Sequence, residues 1–265
     1  MRQDTILDFS KGEWGEDRLY AGENFFFVID GATPVSDRSY GSYHTGAEWM
    51  AEAMKQHLAD LGSGEEEVPV LCKRFTTETE RQVTEAFPDV QDMPCLTIAA
   101  VKQDANITRG YVLGDCSIYV LTRYSGITHL TDQRTAKFYQ KTLRAKAEAE
   151  KNRGDVVGAI QAQKIKNKAA MNQPGGFWTV SYVGDYEAEF RIFQIPTEDI
   201  EAILLCTDGF DRVFFRGDVS PAFLLRGELP LEDALAHLRT WEKMSPTDIK
   251  QHDDAAAILL RAEWR

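Results

Sequence analysis

Apolar residues recur along the chain with two different periods. Ala47, Met50, Ala51, Met54, Leu58 and Leu61 return every three or four positions, and Val68, Leu71, Cys72, Phe75, Thr79 and Val83 repeat the pattern. Each set predicts an amphipathic helix whose single stripe can cover a sheet. Gly62-Ser63-Gly64 is the turn between them. The period then shortens, and runs at 96–101, 107–114, 117–122 and 126–130, separated by glycine or polar residues, predict strands. Ala136–Lys151 and Val156–Ala170, dominated by Ala, Lys, Glu and Gln and interrupted at Gly154, predict two more helices. Strands near 178–183, 189–194 and 202–207, a helix near 231–243 and a closing strand near 256–261 follow. Helix pairs before and after series of strands place helices outside two packed sheets.

Two of the most apolar runs end alike. Phe25 to Ile29 leads into Asp30-Gly31, and Ala202 to Thr207 leads into Asp208-Gly209. An aspartate where a buried strand leaves its sheet faces a polar rim, and the glycine lets the backbone turn sharply or approach a ligand. The two ends, about 180 residues apart, converge only through the fold. Converging carboxylates repel unless a cation lies between them, so a divalent metal site is the first hypothesis. Asp115 follows the run Tyr111 to Gly114, Asp253 and Asp254 precede Ala255 to Leu260, and Glu16-Asp17 stands shortly before the strand of Asp30. Taken singly, an Asp-Gly pair is a common turn former and the other clusters read as loop charges. The set in this order is the signal.

In that order the segments resemble the metal-dependent protein phosphatases of the PP2C (PPM) family, over nearly the whole chain. The matching stretches are Gly15-Glu16-Asp17, Phe27-Val28-Ile29-Asp30-Gly31, Leu96 to Val101, Val112-Leu113-Gly114-Asp115-Cys116-Ser117, Leu204 to Phe210 and Asp253 to Ile258. The resemblance implies an α/β fold, a four-layer α-β-β-α sandwich with two central antiparallel sheets and metals at one end between them. It implies a bacterial-type serine/threonine phosphoprotein phosphatase that uses two Mg²⁺ or Mn²⁺ ions, with a weaker third, and a metal-bridging hydroxide as nucleophile. Asp30 matches the aspartate bridging both ions, and Gly31 the residue whose carbonyl binds one of them. Asp208 and Asp253 match the carboxylates that complete the first ion's shell. Glu16 matches a ligand of the second ion, and Asp17 a residue holding metal-bound water. Asp115 matches the position that holds the third ion together with Asp208.

The chemistry independently asks for such residues. A phosphate monoester is anionic, so attack by hydroxide meets repulsion as well as a poor leaving group. Two ions about 3.5 to 4 Å apart lower the pKa of a shared water and neutralise the phosphoryl oxygens. Mg²⁺ and Mn²⁺ prefer oxygen ligands, which aspartates on rigid strand ends supply. The chain departs from the family in four places. Ala32 stands where many eukaryotic members, though not many bacterial ones, have a histidine. Lys11 is the nearest cation upstream of Glu16, where an arginine often grips phosphate; Cys116-Ser117 replaces Ser-Arg, and Ala256 a common threonine. Two other readings stay open: a pseudophosphatase that binds phosphorylated partners without turnover, and a two-metal hydrolase of small phosphoesters.

Composition narrows the picture further. The 265 residues, 43% hydrophobic and 11% aromatic, suffice for one core and predict a single domain spanning 1–265. No run has the length of a membrane span and Met1-Arg2-Gln3-Asp4 opens no signal peptide, so a cytoplasmic protein is expected. Cys72, Cys95, Cys116 and Cys206 lack metal-ligand spacing and read as reduced core residues; His44 and His252 read as surface or capping residues. The net charge of -12 argues against nucleic-acid binding. Residues 134–172 nevertheless carry ten Lys or Arg and three Asp or Glu, a net +7 that leaves -19 on the rest. In the family this stretch falls where a variable flap beside the metal centre influences substrate choice. Read so, Lys164, Lys166 and Lys168 gather an anionic phosphoprotein surface; read plainly, the segment is a pair of solvated helices. Asn172 to Trp178 closes the flap with an Asn, Gly-Gly and aromatic pattern seen in some bacterial members, or is a glycine turn into an aromatic strand. The partners expected are a protein bearing phosphoserine or phosphothreonine and a cognate Ser/Thr kinase.

Overall fold

The computed structural model of the chain describes residues 1–32, 38–62, 64–89, 92–216, 219–244 and 252–262. Ser63, expected in the turn between the first two helices, lies outside the described residues. The first half contains β1 (Arg2–Asp8), β2 (Arg18–Ala21), β3 (Phe25–Gly31), α1 (Gly46–Leu61), α2 (Val68–Ala86), β4 (Cys95–Gln103), β5 (Ile107–Leu113), β6 (Ser117–Thr122) and β7 (Gly126–Thr131). The second contains α3 (Ala136–Lys151), α4 (Val156–Lys168), β8 (Val180–Ser181), β9 (Arg191–Pro196), β10 (Ile200–Cys206), α5 (Asp208–Arg216), α6 (Pro221–Leu225), α7 (Leu231–Met244) and β11 (Ala255–Arg261).

Two antiparallel sheets form the centre, one in the order β1-β11-β10-β6-β7 and the other β2-β3-β4-β5-β9, with β8 beside the start of β4. Alternation along each strand distributes its side chains between two cores. Val28, Ala99, Val101 and Val112 of one sheet meet Ile118, Val120, Ile203, Leu205 and Ile258 of the other. Their neighbours Phe27, Ile29, Ile98, Ala100 and Tyr111 turn outward onto α1 and α2. On the other sheet, Tyr119, Leu204, Cys206, Ala257 and Leu259 turn outward onto α5, α6 and α7. The result is the four-layer α-β-β-α sandwich. Strands covered on both faces need apolar residues at every position, which is why β3, β4 and β10 read as unbroken hydrophobic runs.

The expected helices form for the expected reasons. Thr45 caps α1, its hydroxyl accepting a hydrogen bond from Glu48 N at 3.0 Å. Met50, Ala51, Met54 and Leu58 are buried, whereas Leu61, assigned to the same stripe by spacing, is exposed at the last turn. α2 opens with Pro69 in its first turn, where a missing N–H costs nothing, and buries Leu71, Cys72, Phe75 and Val83.

Several elements differ from the sequence expectation, which also did not foresee the short β2 and α6. β1 went unrecognised: it is an edge strand of mostly exposed residues, paired from Arg2–Arg261 to Asp8–Ala255 with β11. The strand expected at 178–183 shrinks to Val180–Ser181, because Thr179 is held by the Asn172 side chain rather than a ladder and Gly184 leaves with φ +73°. Asp208-Gly209 does not make a turn but opens α5, where the helix N-terminus favours the aspartate's negative charge.

Candidate metal centre

The fold brings the predicted carboxylates to one end of the space between the sheets. Asp30, next to last in β3, is paired with Thr97 of β4. Asp115 follows β5, Asp208 follows β10 and Asp253 precedes β11. These four carboxylates and Gly31 line one cleft of about 260 Å³, walled on the far side by Phe138, Tyr139, Thr142, Asn167 and Phe177. Glu16 and Asp17 lie beneath, 6% and 2% exposed.

Electrostatics records the crowding. Burial pushes the Asp30 carboxyl well above the usual carboxylate range, and Asp17, Asp208, Asp115 and Asp253 push it further by repulsion. Burial likewise raises Asp17 well above that range, opposed by a hydrogen bond from Thr207 and reinforced by Asp254, Asp253 and Asp208. Asp115 is raised by burial too, against hydrogen bonds from its own backbone, Thr97 and Thr135. Each ionised group is therefore costly where it stands, a cost that a cation offsets.

Other residues hold these groups in place, and sequence reasoning gave them no role. Asp254 accepts hydrogen bonds from Ser10 N at 2.8 Å, Ser10 Oγ at 2.7 Å and Glu16 N at 2.7 Å, fixing the loop that presents Glu16. Thr45 donates to Glu16 Oε1 at 2.6 Å, and Thr207 to Asp17 Oδ2 at 2.7 Å while accepting from Ala256 N at 3.0 Å. The buried Arg18 guanidinium binds the carbonyls of Gly15 and Asp17 at 2.8 and 2.7 Å and Glu52 at 2.6 Å. Asp211, on α5 beyond Asp208, receives hydrogen bonds from Ser117 and Tyr119 at 3.1 and 2.6 Å, and burial lifts its pKa to about 6. The motif offered one signal for Asp254, its place beside Asp253; the threonines offered none, because their partners are distant in sequence.

The glycines of the two Asp-Gly pairs serve packing. A Cβ on Gly31 would stand 2.8 Å from the Glu16 carbonyl oxygen, and one on Gly209 would stand 1.7 Å from that of Asp254. The close approach is between segments of the chain itself, and neither glycine has a positive φ.

The predicted lysines are more dispersed. Lys11 stacks its ammonium 3.8 Å from the Trp14 ring, which itself stacks on His44 at 4.1 Å, and it does not line the cleft. α3 and α4 do adjoin the cleft: Phe138 and Thr142 of α3 are buried there, and Asn167 of α4 donates to Phe138 O and Thr142 Oγ1. α4 buries no residue fully, and Lys166 is exposed. Lys164 is half-buried, and Lys168 is tied to Met93 O at 2.7 Å, a structural bond. Asn172 is buried with φ +52° and clasps the segment after the flap through Thr179 and Val183. All four cysteines are free and buried.

The donors fit hard divalent cations: carboxylates and a backbone carbonyl, all oxygen, at a buried site where their charges repel. Among the described residues no three His, Cys, Asp or Glu side chains converge closely enough, as they stand, to hold a metal ion. No helix among them is long and apolar enough to cross a membrane.

Comparison with known proteins agrees with the fold. A profile of the family described as Protein phosphatase 2C matches residues 9–251. The chain belongs to the protein phosphatase 2C family. Its fold is similar to the serine/threonine phosphatase PstP/Ppp of Mycobacterium tuberculosis, at 16% identity and a TM-score of 0.56, covering 99% of both chains. A second structure, the PstP catalytic domain in complex with two manganese ions, is similar at 18% identity and a TM-score of 0.55, covering 97% of this chain and 96% of that one. PppA of Pseudomonas aeruginosa, described as a key regulatory component of T6SS, matches at 13% identity and a TM-score of 0.57, covering 99% and 97%. No curated protein matches the chain.

Proposed function

We propose that the chain is a metal-dependent serine/threonine phosphoprotein phosphatase, acting as one catalytic domain in the cytoplasm. The observation that carries this reading is the cleft at the open end of the sandwich, with Asp30, Asp115, Asp208 and Asp253 on one side and the α3–α4 hairpin on the other. Asp30, Asp208 and Asp253 would hold one Mg²⁺ or Mn²⁺ ion, Asp30 and Glu16 a second, with the Gly31 carbonyl serving one of the two, and Asp115 with Asp208 a weaker third. Bound there, the ions supply an activated water and neutralise the phosphoryl oxygens. The chain's own residues do the positioning. Thr45 and Asp254 aim Glu16, Thr207 holds Asp17 against β11, and Phe138 and Phe177 limit water on the substrate side. The substrate is a phosphoprotein, which requires a protein kinase as counterpart, and the acidic body disfavours nucleic acid.

One observation favours a second reading, a binding module without turnover: among the described residues, no Lys or Arg lines the cleft to grip phosphate. Release of inorganic phosphate from an aryl phosphate and from a phosphothreonine peptide separates the two. Phosphate release with Mn²⁺ or Mg²⁺ that stops in EDTA is the expected result. Metal-dependent peptide binding without release establishes the binding module instead.

A further inference from the structure

Four threonines line the acidic cleft, and three of their hydroxyls are committed. Thr97 and Thr135 hydrogen-bond Asp115, and Thr142 Oγ1 donates to Phe138 O at 3.2 Å and accepts from Asn167 at 3.0 Å. Thr179 is different. It is only 2% exposed, and its Oγ1 has no hydrogen-bond partner among the described residues. A hydroxyl left unpaired at that depth costs about 1–3 kcal/mol, and a valine of the same shape would avoid the cost.

The backbone around this hydroxyl is firmly held. Asn172, in the left-handed region with φ +52°, accepts from Thr179 N at 2.9 Å and donates to Thr179 O at 3.0 Å and Val183 O at 2.8 Å. Val180 pairs with Leu96, and that register continued one step beyond the end of β8 sets Thr179 beside Thr97, which is itself opposite Asp30. Opposed residues project to the same face of a sheet. Asp30, Thr97 and Thr179 therefore form one row facing the space between the sheets. Two strand spacings, about 10 Å, separate its ends. Thr97 stands between the two, and the cleft of about 260 Å³ that all three residues line has room for a phosphoryl group.

Since no lysine or arginine lines the cleft among the described residues, an anion there needs neutral donors on the side away from the aspartates. We propose that Thr179 Oγ1 donates a hydrogen bond to a phosphoryl oxygen of the bound phosphomonoester, as a substrate contact on the wall across from Asp30. The assignment rests on the phosphatase reading above, and it names the group that meets the phosphate.

Thr179→Val removes the hydroxyl and keeps the shape, Thr179→Ala removes it without risk of overpacking, and Thr179→Ser keeps it. Calorimetric titration of the Mn²⁺-loaded chain with inorganic phosphate reads the contact without turnover, and titration with Mn²⁺ alone reads the cation sites. Losing a charge-assisted hydrogen bond weakens phosphate binding about tenfold in the valine and alanine variants. Thr179→Ser stays closer to wild type than either, Mn²⁺ affinity is unchanged in all, and KM rises in step with the phosphate dissociation constant. Wild-type phosphate affinity in both hydroxyl-free variants overturns the assignment. So does weakened Mn²⁺ binding with phosphate binding intact, which places the hydroxyl on the cation side. A wild-type chain that binds phosphate but hydrolyses no substrate refutes the phosphatase reading and leaves the contact standing, whereas one that binds no phosphate refutes the contact.

Discussion

Asp30 sits among four other carboxylates that raise its pKa by repulsion, with burial the larger cause. Removing one negative charge from such a cluster relieves strain in the metal-free protein while removing a ligand from the metal-loaded one. Asp30→Asn and Asp208→Asn are each expected to lose turnover and to bind Mn²⁺ much more weakly by calorimetry, yet to fold with a Tm in EDTA no lower than wild type. Unchanged metal binding in either would sink the ligand assignment. Asp30, Asp115, Asp208 and Asp253 were legible in the sequence because each ends or begins an apolar run, a pattern with a direct geometric meaning. Thr45, Thr207 and Asp254 were not. Their roles arise from hydrogen bonds spanning 29, 190 and 238 residues, and nothing local distinguishes such residues from caps and loop charges.

Among the elements, the α3–α4 hairpin combines both sequence readings. Its inner seam meets the cleft through Phe138, Thr142 and Asn167, while the remainder is solvated and basic. Lys168 is set apart by its bond to Met93 O. Replacing Lys164 and Lys166 with glutamine should raise KM severalfold for an acidic phosphoprotein and spare a small aryl phosphate, with the difference fading as salt screens charges beyond about 8 Å. An equal change for both substrates places these lysines at the phosphate itself. Lys168→Gln should instead lower Tm, as loss of a buried-end tether does. Helices with a clear stripe, α1 and α2, were readable from spacing alone. β1 was not, because an edge strand has too little buried surface to impose a pattern, and α5 was hidden because Asp-Gly is equally the signature of a turn.

The whole molecule carries the electrostatic cost of its own site. Asp17, Asp30 and Asp115 have raised pKa values in the fold, and Asp211 titrates near 6. Above the ordinary carboxylate range the unfolded chain has released these protons while the folded chain still holds them. Stability is therefore fully present at low pH and declines as pH rises through the folded-state values. In EDTA, Tm should fall between pH 5 and pH 7. Mn²⁺ at a hundredfold excess over its dissociation constant should add about 2.7 kcal/mol, with a larger Tm gain at pH 7 than at pH 5. A metal-free Tm that rises over this range, or one indifferent to Mn²⁺, contradicts the account. The layered architecture itself was readable from the order of helices and strands, since two sheets with unbroken apolar runs can be covered in few ways.

Asp254 reaches back across 244 residues to grasp Ser10, and β11 lies between β1 and β10. The cleft is thus completed by β11, which is synthesised after the segments that carry Asp30, Asp115 and Asp208. A nascent chain lacking that strand has Asp30, Asp115 and Asp208 but neither Asp253 nor the clamp that aims Glu16. Such a fragment lacks part of the proposed metal site, and because distant segments join late, strong metal binding is expected only after β11 has paired with β10.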